Sequence, residues 1–215
     1  MIISRGRGYI FVHIPKTGGT ALALALEGRA MKDDILIGDT PKARRRRNRL
    51  DGLKTAGRLW KHSTLADIDG LIPAEALNDF FLFTLVRNPW DRMVSYYHWL
   101  RVQKFDHPAI GIARDHSFAA FLMHPEIQTS IKSSLAGKYL CDAIGVERPA
   151  LFIRLEHLQN DLAPLEEHLG FRLGNIPVEN VSERHKDHRF YYDSRTAELV
   201  GTLCFEDISR FGYVF

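Results

Sequence analysis

The reading turns on "YIFVHIPKTGGTALALALE", residues 9–27. An apolar run (Ile10, Phe11, Val12, Ile14) leads into Pro15-Lys16-Thr17-Gly18-Gly19-Thr20, after which Ala and Leu recur at helical density. That is the pattern of a buried strand, a tight turn and a helix. Glycines in such a turn let backbone N–H groups face an anion, and the following helix adds its positive end. Lys16 supplies a full charge, and Thr17 and Thr20 supply hydroxyl donors. The order departs from G-x-x-x-x-G-K-[ST], the loop that cradles triphosphates: Pro15 precedes Lys16, and the glycines follow it. Taken alone, the turn is better explained by a plain strand-to-helix corner with a surface lysine.

A second segment changes that balance. "DFFLFTLVR" (79–87) is apolar on both faces, as a central strand must be, and runs straight into "NPWDRMVSYYHWLRVQ". Asn88 is the expected N-cap, Pro89 sits at the first helical position, and Asp91 falls where a capping-box acid would. Arg87 closes the strand. Ser95 lies two turns beyond Asn88 on the same helix face, so the two side chains can grip one phosphate between them. The alternative is that Arg87 pairs with Asp91. The same segment offers Arg92, whose role stays open.

The remaining pattern alternates strands and helices. "PALFIRL" (149–155) reads as a strand, followed by the amphipathic "EHLQNDLAPLEEHLG" closing on Gly170; "SFAAFLMH" and "SRTAELVGTLCFEDISRFG" read as helices, the latter as one long one. "RLWKHS" (58–63) is expected as a short strand ending at His62, with helical turns at "TLADI" and "PAEAL". Residues 32–57 lose periodicity and gain charge, and are expected to be an exposed or mobile insertion. Alternation of this kind implies parallel crossover units, with ligands gathered at the carboxyl ends of the strands. Lys16 and Arg87 both follow such an end and are expected on one rim. At 215 residues the chain suits a single α/β domain, 1–215, a three-layer fold with a central parallel sheet flanked by helices. Its two cysteines, Cys141 and Cys204, form no disulfide framework or metal knuckle and are expected as ordinary thiols of a reducing compartment. The opening residues are too short and polar for a signal peptide, and the longest apolar runs have strand length, so a cytoplasmic location is expected. A net charge of +3 does not by itself imply nucleic acid but suits an anionic ligand.

"HIPKTGGT" followed by "VRNPWDRMVSYY" resembles the paired binding motifs of sulfotransferases that use 3′-phosphoadenosine 5′-phosphosulfate (PAPS). The spelling is closest to carbohydrate sulfotransferases of the heparan sulfate 2-O and 6-O kind and their bacterial relatives. The likeness extends to "FIRLEHLQNDL" and to the tail "HKDHRFYYDSRTAELV…DISRFGYVF"; it is weak in 28–57 and 98–140. The resemblance implies a P-loop-type fold in which Pro15, Lys16, Thr17, Gly18, Gly19 and Thr20 hold the 5′-phosphosulfate, while Arg87 and Ser95 hold the 3′-phosphate. It implies sulfuryl transfer to a hydroxyl of a saccharide or glycolipid, leaving 3′-phosphoadenosine 5′-phosphate (PAP), with no metal required. Golgi members carry a membrane anchor, and an opening without one implies the bacterial type.

Such a transfer needs charge stabilised on the leaving phosphate, a task for Lys16, and a base for the acceptor hydroxyl. Among ten histidines, the family resemblance points to His62, with His13 beside the loop as the reserve. His98, His107, His116, His124 and His168 are expected to be surface or satisfied core residues. By the same resemblance Ser182 and Lys186, in a tail segment that also holds Asn180, Arg184 and Arg189, face the 3′-phosphoadenosine. The run Arg44-Arg45-Arg46-Arg47 is expected as a solvated loop, and would otherwise guide an acidic saccharide. Two other classes stay open: a P-loop kinase of small molecules, against which stand the loop order and a strand that ends in Arg87 instead of an acid, and a nucleic-acid-binding module built on the arginine run.

Overall fold

The structure, a computed structural model, describes residues 1–174, 176 and 184–215. The chain packs as two compact units, one of residues 1–86 and 136–179, the other of residues 87–135 and 180–215.

The first unit is built on a five-stranded sheet in the order β3-β1-β2-β4-β5. Its strands are β1 (Ile2–Ser4), β2 (Tyr9–Val12), β3 (Ile35–Leu36), β4 (Phe81–Val86) and β5 (Leu151–Arg154). β2, β4 and β5 run parallel, with Val12 opposite Thr84 and Val86 opposite Arg154. The parallel centre is therefore as expected. β1 and β3 add an antiparallel edge that the sequence did not announce, because three and two residues are too few to show a period. Helix α1 (Gly19–Gly28) lays Leu22 and Leu26 against Phe11, Phe83 and Leu85. The amphipathic stretch after β5 covers the same core with Leu165 and Leu169.

One expectation is refined in this unit and another fails. Residues 32–57 are largely exposed, as expected, but they also form short regular elements. They contribute β3, a short helix α2 (Pro41–Arg45) capped by Thr40, and a 3-10 turn at Arg47–Leu50. The basic run is anchored by carbonyls: Arg46 donates to Met31 O and Asp34 O, Arg49 donates to Lys32 O, and Lys42 donates to Glu27 O. Arg44, Arg45 and Arg47 remain exposed. The stretch 58–63 is not a strand. It is a turn tied by buried Ser63, whose hydroxyl accepts from Trp60 N at 2.9 Å and bonds the carbonyls of Arg58 and Trp60.

The second unit is helical. Helix α3 (Pro89–Arg101) begins as its sequence requires: the Asn88 side chain accepts from Trp90 N at 3.0 Å, and Pro89 has no N–H to satisfy. Its apolar face, Trp90, Met93, Val94 and Tyr97, packs with Phe121 and Val200. The last helical stretch is broken into Ser194–Leu203 and Phe205–Phe211. No Gly or Pro marks the break; Cys204 buries its side chain there while Phe205 turns outward.

Candidate functional site

β2 ends where Thr84 donates its hydroxyl to Val12 O at 2.7 Å, and the chain then passes through His13 and Ile14 into the 15–20 loop. Lys16 has φ 65, the one non-glycine residue with positive φ among those described. Lysine gains nothing intrinsic from that conformation, so the surrounding loop imposes it. Gly18 follows with φ 86 and cannot be replaced freely: a Cβ there would also lie 2.7 Å from Leu155 Cδ1. Left-handed residues such as those at 16 and 18 are backbone of the kind that can turn N–H groups inward into an anion-binding concavity. α1 starts at once behind it with no side-chain cap, so its first N–H groups and positive dipole end face the same place. One expected donor works differently. The Thr17 hydroxyl is buried and donates to Ile14 O at 2.9 Å, so Thr17 can offer this concavity its amide and not its hydroxyl proton.

His13 and His62 stand beside this loop. His62 Nδ1 lies 2.7 Å from the His13 carbonyl, which can only accept, so Nδ1 carries the proton and Nε2 keeps its lone pair. Burial is the largest influence on His62 and pushes its pKa down to about 3; the His13 bond opposes that, and the nearby charge of Lys61 reinforces it. His62 is thus neutral at ordinary pH. The Trp60 indole meets the His62 ring edge to face at 5.0 Å and is 46% exposed. It is the one exposed aromatic among the described residues of this unit. Sequence reasoning passed over Trp60, since nothing in "RLWKHS" distinguishes an outward from an inward indole.

In the helical unit, Arg87 does pair with Asp91, at 2.6 Å from Nη2 and 2.9 Å from Nε to Oδ2. Asp91 is shared: its Oδ1 takes Arg184 Nη2, also at 2.6 Å. Burial works against ionisation of Asp91, but the charges and hydrogen bonds of Arg87 and then Arg184 hold its pKa below the usual range. The capping-box expectation for Asp91 therefore gives way to an arginine clamp. Arg184 is nearly buried, and its Nη1 has no hydrogen-bond partner among the described residues; His98 Nε2 and His188 Nε2 are buried in the same condition. Burial lowers the pKa of both histidines, and Arg184's charge adds to the lowering in each. Buried unpaired nitrogens around one guanidinium are costly unless a ligand meets them, and an anion has the chemistry to do so. Ser95 is buried on α3, and Arg92 is buried with its guanidinium donating to Ser134 O at 2.9 Å.

The other sequence-named residues separate. Ser182 lies outside the described residues. Lys186 is exposed in the turn before the 3-10 segment His188–Tyr191, and Arg189 is spent on Asp187. Arg184, two positions before Lys186, is the tail residue that reaches the clamp. His107 and His124 cap helices, His116 bonds Ile112 O, and His168 bonds Arg7 O while stacking on Phe81. Those four are structural as expected; His98, with its unpartnered nitrogen, is not a satisfied core residue. Among the described residues no group of three His, Cys, Asp or Glu could hold a metal, and no helix is long and apolar enough to cross a membrane.

A strand–loop–helix anion cradle with a neutral imidazole beside it defines a class, an α/β group-transfer enzyme of the P-loop type. A model of the sulfotransferase family matches residues 1–213, and the chain belongs to that family; it is a PAPS-dependent sulfotransferase. No curated protein matches the chain by sequence. Among solved structures, the mouse sulfotransferase SULT7A1 complexed with PAP superposes with a TM-score of 0.51 at 17% identity, covering 96% of this chain and 85% of that chain. At that identity the likeness is one of fold, and it carries the expected P-loop-type α/β architecture.

Proposed function

We propose that the chain, as one sulfotransferase domain, moves the sulfuryl group of PAPS to a hydroxyl of a saccharide or glycolipid in the cytoplasm, with Lys16 and His62 as its catalytic residues. The 15–20 loop takes the 5′-phosphosulfate. Arg87, Ser95 and Arg184 take the 3′-phosphate, and Ser182 and Lys186 belong to the nucleotide side. The observation that carries this reading is the uncapped start of α1 behind left-handed Lys16 and Gly18, with His62 Nε2 available beside it. The PAP held by the mouse relative supports the nucleotide, and the unpaired Arg184 Nη1 supports a second anion.

In the reaction, the acceptor hydroxyl gives its proton to His62 Nε2 as its oxygen attacks sulfur. The bond from sulfur to the bridging phosphate oxygen breaks, and its electron pair stays on the 5′-phosphate, where Lys16 and the loop amides stabilise it. His62 is a weak base while its site is empty. The nucleotide's negative charge raises its affinity for a proton, bringing it nearer to the working pH when catalysis begins. The exposed indole of Trp60 offers a flat apolar surface next to the base, suited to the C–H face of a pyranose, and the exposed Arg44, Arg45 and Arg47 favour approach of an anionic chain. Two free cysteines, Cys204 buried and Cys141 partly so, agree with a reducing compartment.

The test is transfer of radiolabelled sulfate from PAPS to a panel of pyranosides, glycolipids and simple phenols. Saccharide labelling that falls in Trp60→Ala while PAP binding is kept supports the reading. Labelling of phenols alone would refute the acceptor class, and no PAP binding would refute the reading as a whole.

A further inference from the structure

His13 touches both halves of the proposed chemistry. Its side chain is buried, 7% exposed, and stacks on Phe11 with ring centroids 5.7 Å apart. Its ring also fills the space a side chain at Gly19 would need: a Cβ there would lie 3.0 Å from His13 Cγ and closer still to Cδ2 and Nε2. The first residue of α1 therefore rests directly on the imidazole. The backbone of the same residue holds His62 Nδ1 at 2.7 Å, and the two rings meet edge to face at 4.7 Å.

We infer that His13 is a positioning residue that registers the anion loop and His62 on each other. Its ring sets where the first turn of α1 stands, and with it the loop amides; its carbonyl sets which nitrogen of His62 keeps a lone pair. The packing also explains Gly19, the second glycine of the loop, whose lack of a side chain serves contact with His13. His13 does not act as the base itself, because its buried ring is packed on Phe11 and Gly19. Burial holds its pKa well below the ordinary value, and the charges of His62, the Met1 amine, Lys61 and Lys16 add to that. The groups facing His62 in turn are His13, Lys61, Asp39 and the Met1 amine. The consequence for catalysis rests on the sulfuryl-transfer reading, whereas the packing claim does not.

The test reads melting temperature with and without PAP, and the NMR titration of the His62 ring, on the full chain. Gly19→Ala alone is expected to lower the melting temperature and remove the PAP shift. Adding His13→Ala makes room for the new methyl and restores much of both. His13→Ala alone lets water reach the His62 ring, so its titration midpoint climbs toward that of an ordinary histidine; His13→Gln gives a smaller climb. Losses that simply add in Gly19→Ala/His13→Ala, or a His62 midpoint unmoved in His13→Ala, would overturn the inference. Absence of any PAP shift in the parent chain would instead count against the sulfotransferase reading, while the melting temperatures and the His62 titration still decide the role of His13.

Discussion

Two strand-to-helix corners follow parallel strands of this chain, and they are built in opposite ways. After β4 the chain closes its own helix: Asn88 accepts from Trp90 N, and Pro89 removes an N–H that would need a partner. After β2 it does not. α1 has no side-chain cap, and the residues before it sit in left-handed conformations that a capped corner does not need. The first corner caps its own helix, so the role we propose for it rests on side chains, Arg87 and Asp91 with Arg184. The second has no side-chain cap, so the role we propose for it rests on main-chain N–H groups and one lysine. A corner that leaves its helix uncapped can hold an anion with main-chain groups, which side-chain mutation does not remove.

That contrast predicts a ranking of effects. Lys16→Ala removes the full charge beside the leaving phosphate and should lower PAPS-dependent turnover by ~10²-fold or more. Near-normal turnover would erase the distinction between the corners. His62→Ala should cost turnover by ~10²-fold or more while the PAP-induced melting shift is kept. The pH dependence has a definite sign. A base must be neutral, and burial holds His62 near 3 in the free enzyme, so kcat/KM for PAPS should not fall between pH 7 and pH 5 through protonation of this residue. An acid limb at the ordinary histidine value, absent in His62→Ala, would show that the base is not held neutral by burial.

Smaller effects belong to the β4 corner. Arg184→Ala should weaken PAP by about 10-fold and leave AMP unaffected, because one charge-assisted hydrogen bond is worth ~1.5 kcal/mol or more. Equal weakening of both nucleotides, measured by titration calorimetry, would separate Arg184 from the 3′-phosphate. Asn88→Ala removes a cap and should destabilise the fold by ~1 kcal/mol with the PAP shift kept. A loss of PAP binding larger than the loss of stability would mean that this corner too uses its main chain.

The β4 corner was legible in the sequence nearly to the residue, because Asn88, Pro89 and the apolar run before them each have one local meaning. The β2 loop was legible as a strand–turn–helix corner, but the Thr17 hydroxyl was misjudged, since only the fold brings Ile14 O beneath it. The exposure of residues 32–57 was legible, but charge hid short elements tied by carbonyl contacts with Arg46 and Arg49. His62 was named by resemblance alone, and its strand was wrong: it lies in a turn tied by Ser63. Arg184, His98 and His188 could not be singled out, because their meaning lies in unpaired nitrogens, which have no sequence signature.

The central claim is that this chain binds two phosphates, one at each corner. PAP carries both groups, AMP lacks the 3′-phosphate, and ATP adds charge only at the 5′ end. At 100 times its dissociation constant a ligand stabilises the fold by ~2.7 kcal/mol, which moves the melting temperature of a chain this size by a few degrees. Thermal melts at equal concentrations of PAP, AMP and ATP with Mg²⁺ should therefore show a clear shift with PAP and much less with the other two. Arg87→Ala should remove most of PAP's advantage over AMP. A larger shift with ATP and Mg²⁺ than with PAP, or a preference for PAP that survives Arg87→Ala, would contradict the account.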